Sequence, residues 1–250
     1  MLTPVPAIER EPLRPLFEGF PGLHGIIDSV IEGVLGKAWA DDISKPRVAR
    51  LELDFQLIAG DPSAPSATDE LRALPVGEHL AIPDSWTDLL LDALDTVQPY
   101  DRFDFGQPER WDRTQLASMR ESLPGGLAIE RITADSVGAF AALADSLVYN
   151  FQSHDDFLAL GVGFGIREGD RFIAGCSSFA ISSRSLEFEI QTHPDFQRRG
   201  LALATGSRMI EHCLDNGLTP CWDAAHEGSA VLAERLGFGE RRPYSAYRIG

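Results

Sequence analysis

The stretch from Leu186 to Ala202 constrains this chain more than any other. Leu186, Phe188 and Ile190 alternate with Glu187, Glu189 and Gln191, which predicts a β-strand through Thr192 with one apolar and one polar face. His193-Pro194-Asp195-Phe196 breaks that alternation. After Gln197-Arg198-Arg199-Gly200-Leu201-Ala202 the period becomes helical: Leu203, Ser207, Ile210 and Leu214 mark one face, and Asn216-Gly217 supplies a left-handed stop. A strand that turns directly into a long helix belongs in a layered arrangement of sheet and helix. The turn also gathers the unpaired N–H groups of the first helical turn, and the positive end of the helix dipole favours an anion there. Gly200 lets the backbone approach phosphate oxygens without an intervening Cβ, Ala202 keeps the first turn slim, and Gln197, Arg198 and Arg199 add donors. Two readings of this hexapeptide remain open, a diphosphate loop or an ordinary helix start with two solvated arginines.

The rest of the chain divides near Ser122-Leu123-Pro124-Gly125-Gly126 into halves 1–125 and 126–250. In the first, Ile26 to Gly33 and Lys37 to Ala40 around Gly36 predict a hairpin. Leu51, Leu53, Phe55 and Leu57 alternate with polar residues and predict one strand, and Gly60 to Thr68, with its prolines, predicts a loop. Ser85 opens a helix through Leu94, and Tyr100 to Phe105 predicts a further strand. In the second half the expected order is a strand at 127–132, a helix at 135–147, strands at 162–166 and 172–180, and the strand–turn–helix just described. A short strand at 219–224, a helix at 229–236 closed by Gly237, and a last strand at 244–249 complete it. The fold class is therefore mixed α/β (α+β), with a mostly antiparallel sheet flanked by helices.

Composition narrows the partners. The 250 residues carry a formal charge of −16, which disfavours nucleic acid and anionic membrane surfaces and mildly favours cationic substrates. Three dispersed cysteines, Cys176, Cys213 and Cys221, suggest neither a disulfide framework nor a zinc site. The first fourteen residues mix prolines, glutamates and arginines without the apolar run of a signal peptide, and no stretch approaches the roughly 18 apolar residues of a membrane span. A soluble cytoplasmic protein is expected. His154, Asp155 and Asp156 are adjacent in sequence and cannot all converge on a metal, so they read as an exposed acidic turn. Gly161-Val162-Gly163-Phe164-Gly165 lacks the spacing of a dinucleotide loop and opens no helix.

The hexapeptide Gln197 to Ala202 resembles the acyl-CoA pyrophosphate loop Q/R-x-x-G-x-G/A of the GNAT superfamily of N-acetyltransferases. Further stretches resemble the same superfamily: Phe151 to Phe164, Ser177-Ser178, Glu189 to Ala202, and Trp222 to Phe238 ending in Leu236-Gly237-Phe238. The similarity is to a bacterial GNAT subfamily of largely unknown substrate and covers about residues 126–250 strongly and the first half only loosely. It implies a GNAT acetyltransferase domain at 126–250 and an accessory domain at 1–125, which in such proteins can be a degenerate GNAT-like one. It implies acetyl-CoA as cosubstrate, no metal, and a primary amine of a small molecule or peptide as acceptor. Ile190, Gln191 and Thr192 would pair with the pantetheine arm, residues 197–202 would hold the diphosphate, and His226 and Ser229 would lie at the cofactor. His226 stands where many relatives carry Asn. Ala233 stands where many carry the Tyr that protonates the leaving thiolate, so the usual general acid is missing.

Acetyl transfer needs a neutral amine, and a carboxylate in reach takes its proton. Glu189 and Glu187 share the polar strand face and are the candidate bases, Glu189 preferred, with backbone N–H groups near Ile190 or Thr192 as donors to the thioester oxygen. Each glutamate has a plainer reading as a solvated strand face, His226 as a helix cap, His193 as a turn residue and Trp222 as core. A CoA-binding module with little catalysis, or a first half that serves homodimerisation or partner binding, are the competing functions.

Overall fold

The computed structural model describes residues 2–250. The first half carries strands β1 (Thr3–Pro4), β2 (Lys37–Ala40), β3 (Val48–Leu53), β4 (Phe55–Gly60), β5 (His79–Ala81) and β6 (Val97–Phe105). Its helices are α1 (His24–Ile31), α2 (Pro65–Arg72), α3 (Thr87–Ala93) and α4 (Arg113–Glu121). The second half adds β7 (Ile129–Arg131), α5 (Val137–Ala141), α6 (His154–Leu160), β8 (Gly163–Glu168), β9 (Arg171–Ile181) and β10 (Ser185–Thr192). It ends with α7 (Leu201–Asp215), β11 (Thr219–Cys221), β12 (Asp223–Ala224), α8 (Glu227–Leu236) and β13 (Arg241–Ile249).

Each half repeats one order: antiparallel strands, a crossover helix to a parallel strand, another helix, and a last strand. The crossovers are β4–α2–β5, with Gln56 opposite Leu80, and β10–α7–β11, with Leu186 opposite Pro220. The last strands are exchanged. An eight-stranded sheet runs β1-β2-β3-β4-β5-β13-β6-β12, and a five-stranded sheet runs β11-β10-β9-β8-β7. Thus β13 sits between β5 and β6, pairing with β6 from Arg241↔Phe105 to Ile249↔Val97, while β12 continues the sheet on the other edge of β6. The largest apolar cluster accordingly joins both halves, from Leu13, Ile26 and Leu51 to Phe140, Phe157 and Tyr244.

Several local expectations differ from this arrangement. Ile26 to Gly33 is not half of a hairpin but helix α1: Ile26, Ile27, Val30 and Ile31 fall at helical spacing and are all buried, and Gly25 lets α1 press on β10, a Cβ there lying 2.7 Å from that of Glu187. The alternation from Leu51 to Leu57 spans two strands that reverse at Asp54, with φ of 59°. The period survives the reversal because Leu51 faces Leu57 and Leu53 faces Phe55, and directly paired residues share a face of the sheet. Pro65 ends the expected loop early by starting α2, since its fixed φ suits a first helical position. The 135–147 helix shortens to α5 plus a 3-10 turn at Asp145–Leu147, and His154 to Asp156 open helix α6, capped by Ser153, instead of forming a turn.

Candidate active site

β10 and β11 pair only over Ser185–Glu187 and Thr219–Cys221; beyond that point β11 ends and β12 turns away to join β6. From Phe188 to Thr192 one edge of β10 therefore faces a V-shaped opening, while the other edge stays paired with β9 through Thr192↔Ala174. A register shift between Glu187 and Phe188 marks where the strand bends into this opening. Three recesses lie around it.

The first, about 240 Å³, lies over the turn and the start of α7 and is lined by Thr192, Gln197, Arg198, Gly200, Leu201 and Ala202, with Gly228, Val231 and Arg235 of α8 opposite. Gly200, at φ 79°, is the N-cap of α7 and no side chain caps that helix, so its first N–H groups stay open to a ligand. Arg198 also holds a left-handed backbone, φ 60°, an uncommon conformation for a side chain of its size. Thr192 Oγ1 is buried without a hydrogen-bond partner on the same wall. Arg199 turns away: it donates to the Asp195 carbonyl at 2.9 Å and stacks over Phe196. His193 accepts from Asp195 N–H at 3.3 Å and is the cap of its own turn.

The second recess, about 200 Å³, sits in the opening itself and brings together Glu189, Ile190, Gln191, His226, Ser229 and Arg102. His226 caps α8, its Nδ1 accepting from Ser229 N–H at 3.2 Å, so the capping role and a place in the recess coexist in one side chain. Trp222 Nε1 donates to Ser229 Oγ at 3.1 Å, which leaves the Ser229 proton free to point elsewhere. Ala233, one turn further along α8, is fully buried and offers no hydroxyl.

The third, about 320 Å³, continues past Glu189 between the two halves. Glu187 and Glu189 both reach it, with different surroundings. Glu187 is buried and accepts from Gly25 N–H at 3.3 Å; burial, then the nearby Asp223 and Asp104, push its carboxyl up to about 8. Glu189 is half-buried and accepts from Gln191 Nε2 at 2.8 Å. Asp223 is held by Arg102 (Nε to Oδ1, 2.5 Å) and by the Tyr244 hydroxyl (2.6 Å), so strands β6, β12 and β13 meet at one buried ion pair.

The sequence reading missed Arg102, Arg235, Asp54 and Tyr149 at this site. Arg235 was in principle within reach, because it lies on α8 at the spacing that faces α7. Arg102 and Asp54 arrive only through pairing between the halves. No group of His, Cys, Asp or Glu among the described residues is arranged to hold a metal, and no helix among them is long and apolar enough to cross a membrane.

The sequence model of the GNAT acetyltransferase family matches residues 14–247. The chain is 26% identical over 243 residues to the uncharacterized N-acetyltransferase YdfB of Bacillus subtilis (strain 168), covering 91% of this chain and 90% of that protein. Its fold superposes with a TM-score of 0.81 on a GCN5-related N-acetyltransferase-like protein from Streptococcus suis 89/1591, at 28% identity over 97% of this chain and 98% of that one. A GCN5-related N-acetyltransferase from Kribbella flavida shares the fold at a TM-score of 0.60 and 15% identity, over 92% and 96% of the two chains.

Proposed function

The chain belongs to the GNAT acetyltransferase family and is an acyltransferase, and from that premise we propose that it transfers acetyl from acetyl-CoA to a primary amine held between its two halves. The observation that carries this reading is the divergence of β10 from β11 after Glu187, which opens a strand edge directly onto an uncapped helix start. Gly200, Leu201 and Ala202 offer N–H groups to the diphosphate, with Gln197, Arg198 and Arg235 adding donors and charge from either side. Ile190 to Thr192 present alternate N–H and C=O groups to the pantetheine arm, as an added strand would. Arg199 has no part in this site, because its guanidinium is engaged with Asp195 and Phe196.

The bound thioester supplies an acyl carbon open to attack. Glu189 takes the proton of the incoming ammonium, directly or through water, so that the nitrogen presents a lone pair. Glu187 is the poorer base, since its burial keeps it protonated at neutral pH. A backbone N–H on the open edge near Ile190 donates to the developing oxyanion. Ser229 stands in for the hydroxyl missing at Ala233: Trp222 occupies its oxygen as acceptor and frees its O–H to donate to the departing thiolate. The half 1–125 is, in this reading, a second copy of the same fold that no longer binds coenzyme and instead walls the acceptor chamber. The chain works in the cytoplasm, where acetyl-CoA and reduced cysteines coexist.

The test is thiol release from acetyl-CoA with a panel of amines. Transfer is expected to fall at least about a hundredfold in kcat for Glu189→Gln, in line with typical losses of a general base. Release independent of any amine, or an unaltered rate in that variant, would overturn the assignment.

A further inference from the structure

The chamber between the halves carries more negative charge than its one arginine can balance. Asp54, Glu189 and Asp223 line it beside the protonated Glu187, against Arg102 and His79. Arg102 is already paired with Asp223 and lies over the Phe55 ring, 4.7 Å from its centroid, and His79 is hydrogen-bonded to the Tyr100 hydroxyl at 2.6 Å. Asp54 and Glu189, one from each half, are left without a cation. Both lie beside Tyr149, whose phenol is pushed up by burial first and then by those two carboxylates, so one small molecule can span them. Glu187 adds an independent sign of a missing ligand: it is buried, at 4% exposure, and its Oε1 on the chamber wall has no hydrogen-bond partner. A buried polar atom left unpaired is costly and calls for an occupant.

The walls between these groups are aromatic, Phe55, Tyr149, Phe179 and Phe188, which suit a methylene chain and the face-on approach of an ammonium. The volume, about 320 Å³, lies at the small end of ligand pockets. Resting on the reading of this chamber as the acceptor end of the site, we propose that the acceptor is a compact dication, a linear alkane diamine in chemical class, with one amine at Glu189 and its other ammonium held by Asp54. An amine bearing a carboxylate would set a third negative charge beside two unpaired ones, and a monoamine would leave Asp54 unanswered. In the reaction the amine at Glu189 gives its proton to that carboxylate and forms a C–N bond with the acyl carbon. The C–S bond breaks and its electron pair leaves with the thiolate, which is protonated by the Ser229 hydroxyl as the attacking nitrogen gives its second proton back to Ser229; the ammonium at Asp54 is unchanged. The product is singly acetylated and keeps one positive charge.

The full chain is to be assayed for thiol release with linear alkane diamines and with monoamines of matching length. A charge-assisted contact at the second ammonium predicts a diamine preference in kcat/KM of roughly ten- to hundredfold, with single acetylation by mass. Asp54→Asn and Asp54→Gly, both compatible with the left-handed turn at φ 59°, are expected to bring that ratio near one. Equal use of mono- and diamines by the unaltered protein, or a preference that survives both variants, overturns the proposal. Calorimetry of diamine binding to the protein loaded with CoA separates the two levels. Binding that depends on Asp54 without thiol release would sink the acetyl-transfer reading and uphold the dication site, while monoamine turnover without such binding would do the reverse.

Discussion

One strand–helix–strand crossover lies in each half, and the two treat an approaching anion in opposite ways. At β10–α7 the helix starts on Gly200 with no side-chain cap and no acid in its first turn, and Arg198 and Arg235 flank the opening. At β4–α2 the helix start likewise lacks a side-chain cap and an acid in its first turn, but the turn leading into it is filled. Asp61 accepts from the Ser63 N–H at 2.8 Å and its hydroxyl at 2.6 Å, and pairs with Arg47; these three contacts, the Ser63 hydroxyl foremost, hold its carboxyl down at about 2. Pro65 then removes a donor at the first helical position. The strands differ likewise. β4 is buried along nearly its whole length, whereas β10 is only half-buried from Phe188 onward, because one edge has lost its neighbour. Topology alone therefore does not make an anion-accepting turn; its own donors must be left unspent and free of negative charge.

The contrast assumes that the halves form one folded body, and the largest test attacks that assumption. Arg102→Met strands Asp223 as an unpaired buried carboxylate where the exchanged strands meet, and should cost about 3–5 kcal/mol in urea unfolding. A loss below about 1 kcal/mol would mean that the exchanged strands are held by packing alone. Next, the polar face of β10 predicts a pH dependence that β4 lacks. Because the Glu187 carboxyl is raised from 4.5 to about 8 on folding, its contribution is fully present below about pH 4.5 and is lost as pH rises through 8. Glu187→Gln should flatten that dependence and be more stable than the parent at pH 8 by on the order of a few kcal/mol, with no gain at pH 4, measured by denaturant melts.

Gly200→Asp places a carboxylate at the start of α7 itself, since Asp tolerates the left-handed backbone and sets its carboxylate among the N–H groups. CoA affinity by calorimetry should fall about a hundredfold; an unchanged Kd would place the diphosphate elsewhere. The smallest effect is expected of Asp61→Asn, which removes the charge from the first half's turn but leaves Pro65, so that no second CoA site should appear at any concentration used for the first. A second equivalent would show that charge alone distinguishes the two turns.

The strand at 186–192, the turn and the 201–215 helix were legible because their signals are local: alternation of period two, a glycine at a left-handed position and a helical stripe all lie within one short segment. The hairpin expected at 26–40 failed for a related reason, since a run of four isoleucines and valines satisfies a strand and a buried helix equally until its neighbours are known. Likewise Leu51 to Leu57 kept one alternating pattern across two strands, because nothing in the pattern itself reports a reversal at Asp54.

By itself the sequence determined the family, the mixed α/β class and the strand–turn–helix at 186–215, all of which depend on residues adjacent along the chain. Only the tertiary structure decided that β13 lies between β5 and β6, that Glu187 is buried against Gly25 while Glu189 stays accessible, and that Asp54 and Arg102 face the same chamber as both. Those outcomes rest on pairings between residues more than a hundred positions apart, whose energies depend on burial and on the charge brought alongside. No window of the sequence contains either quantity.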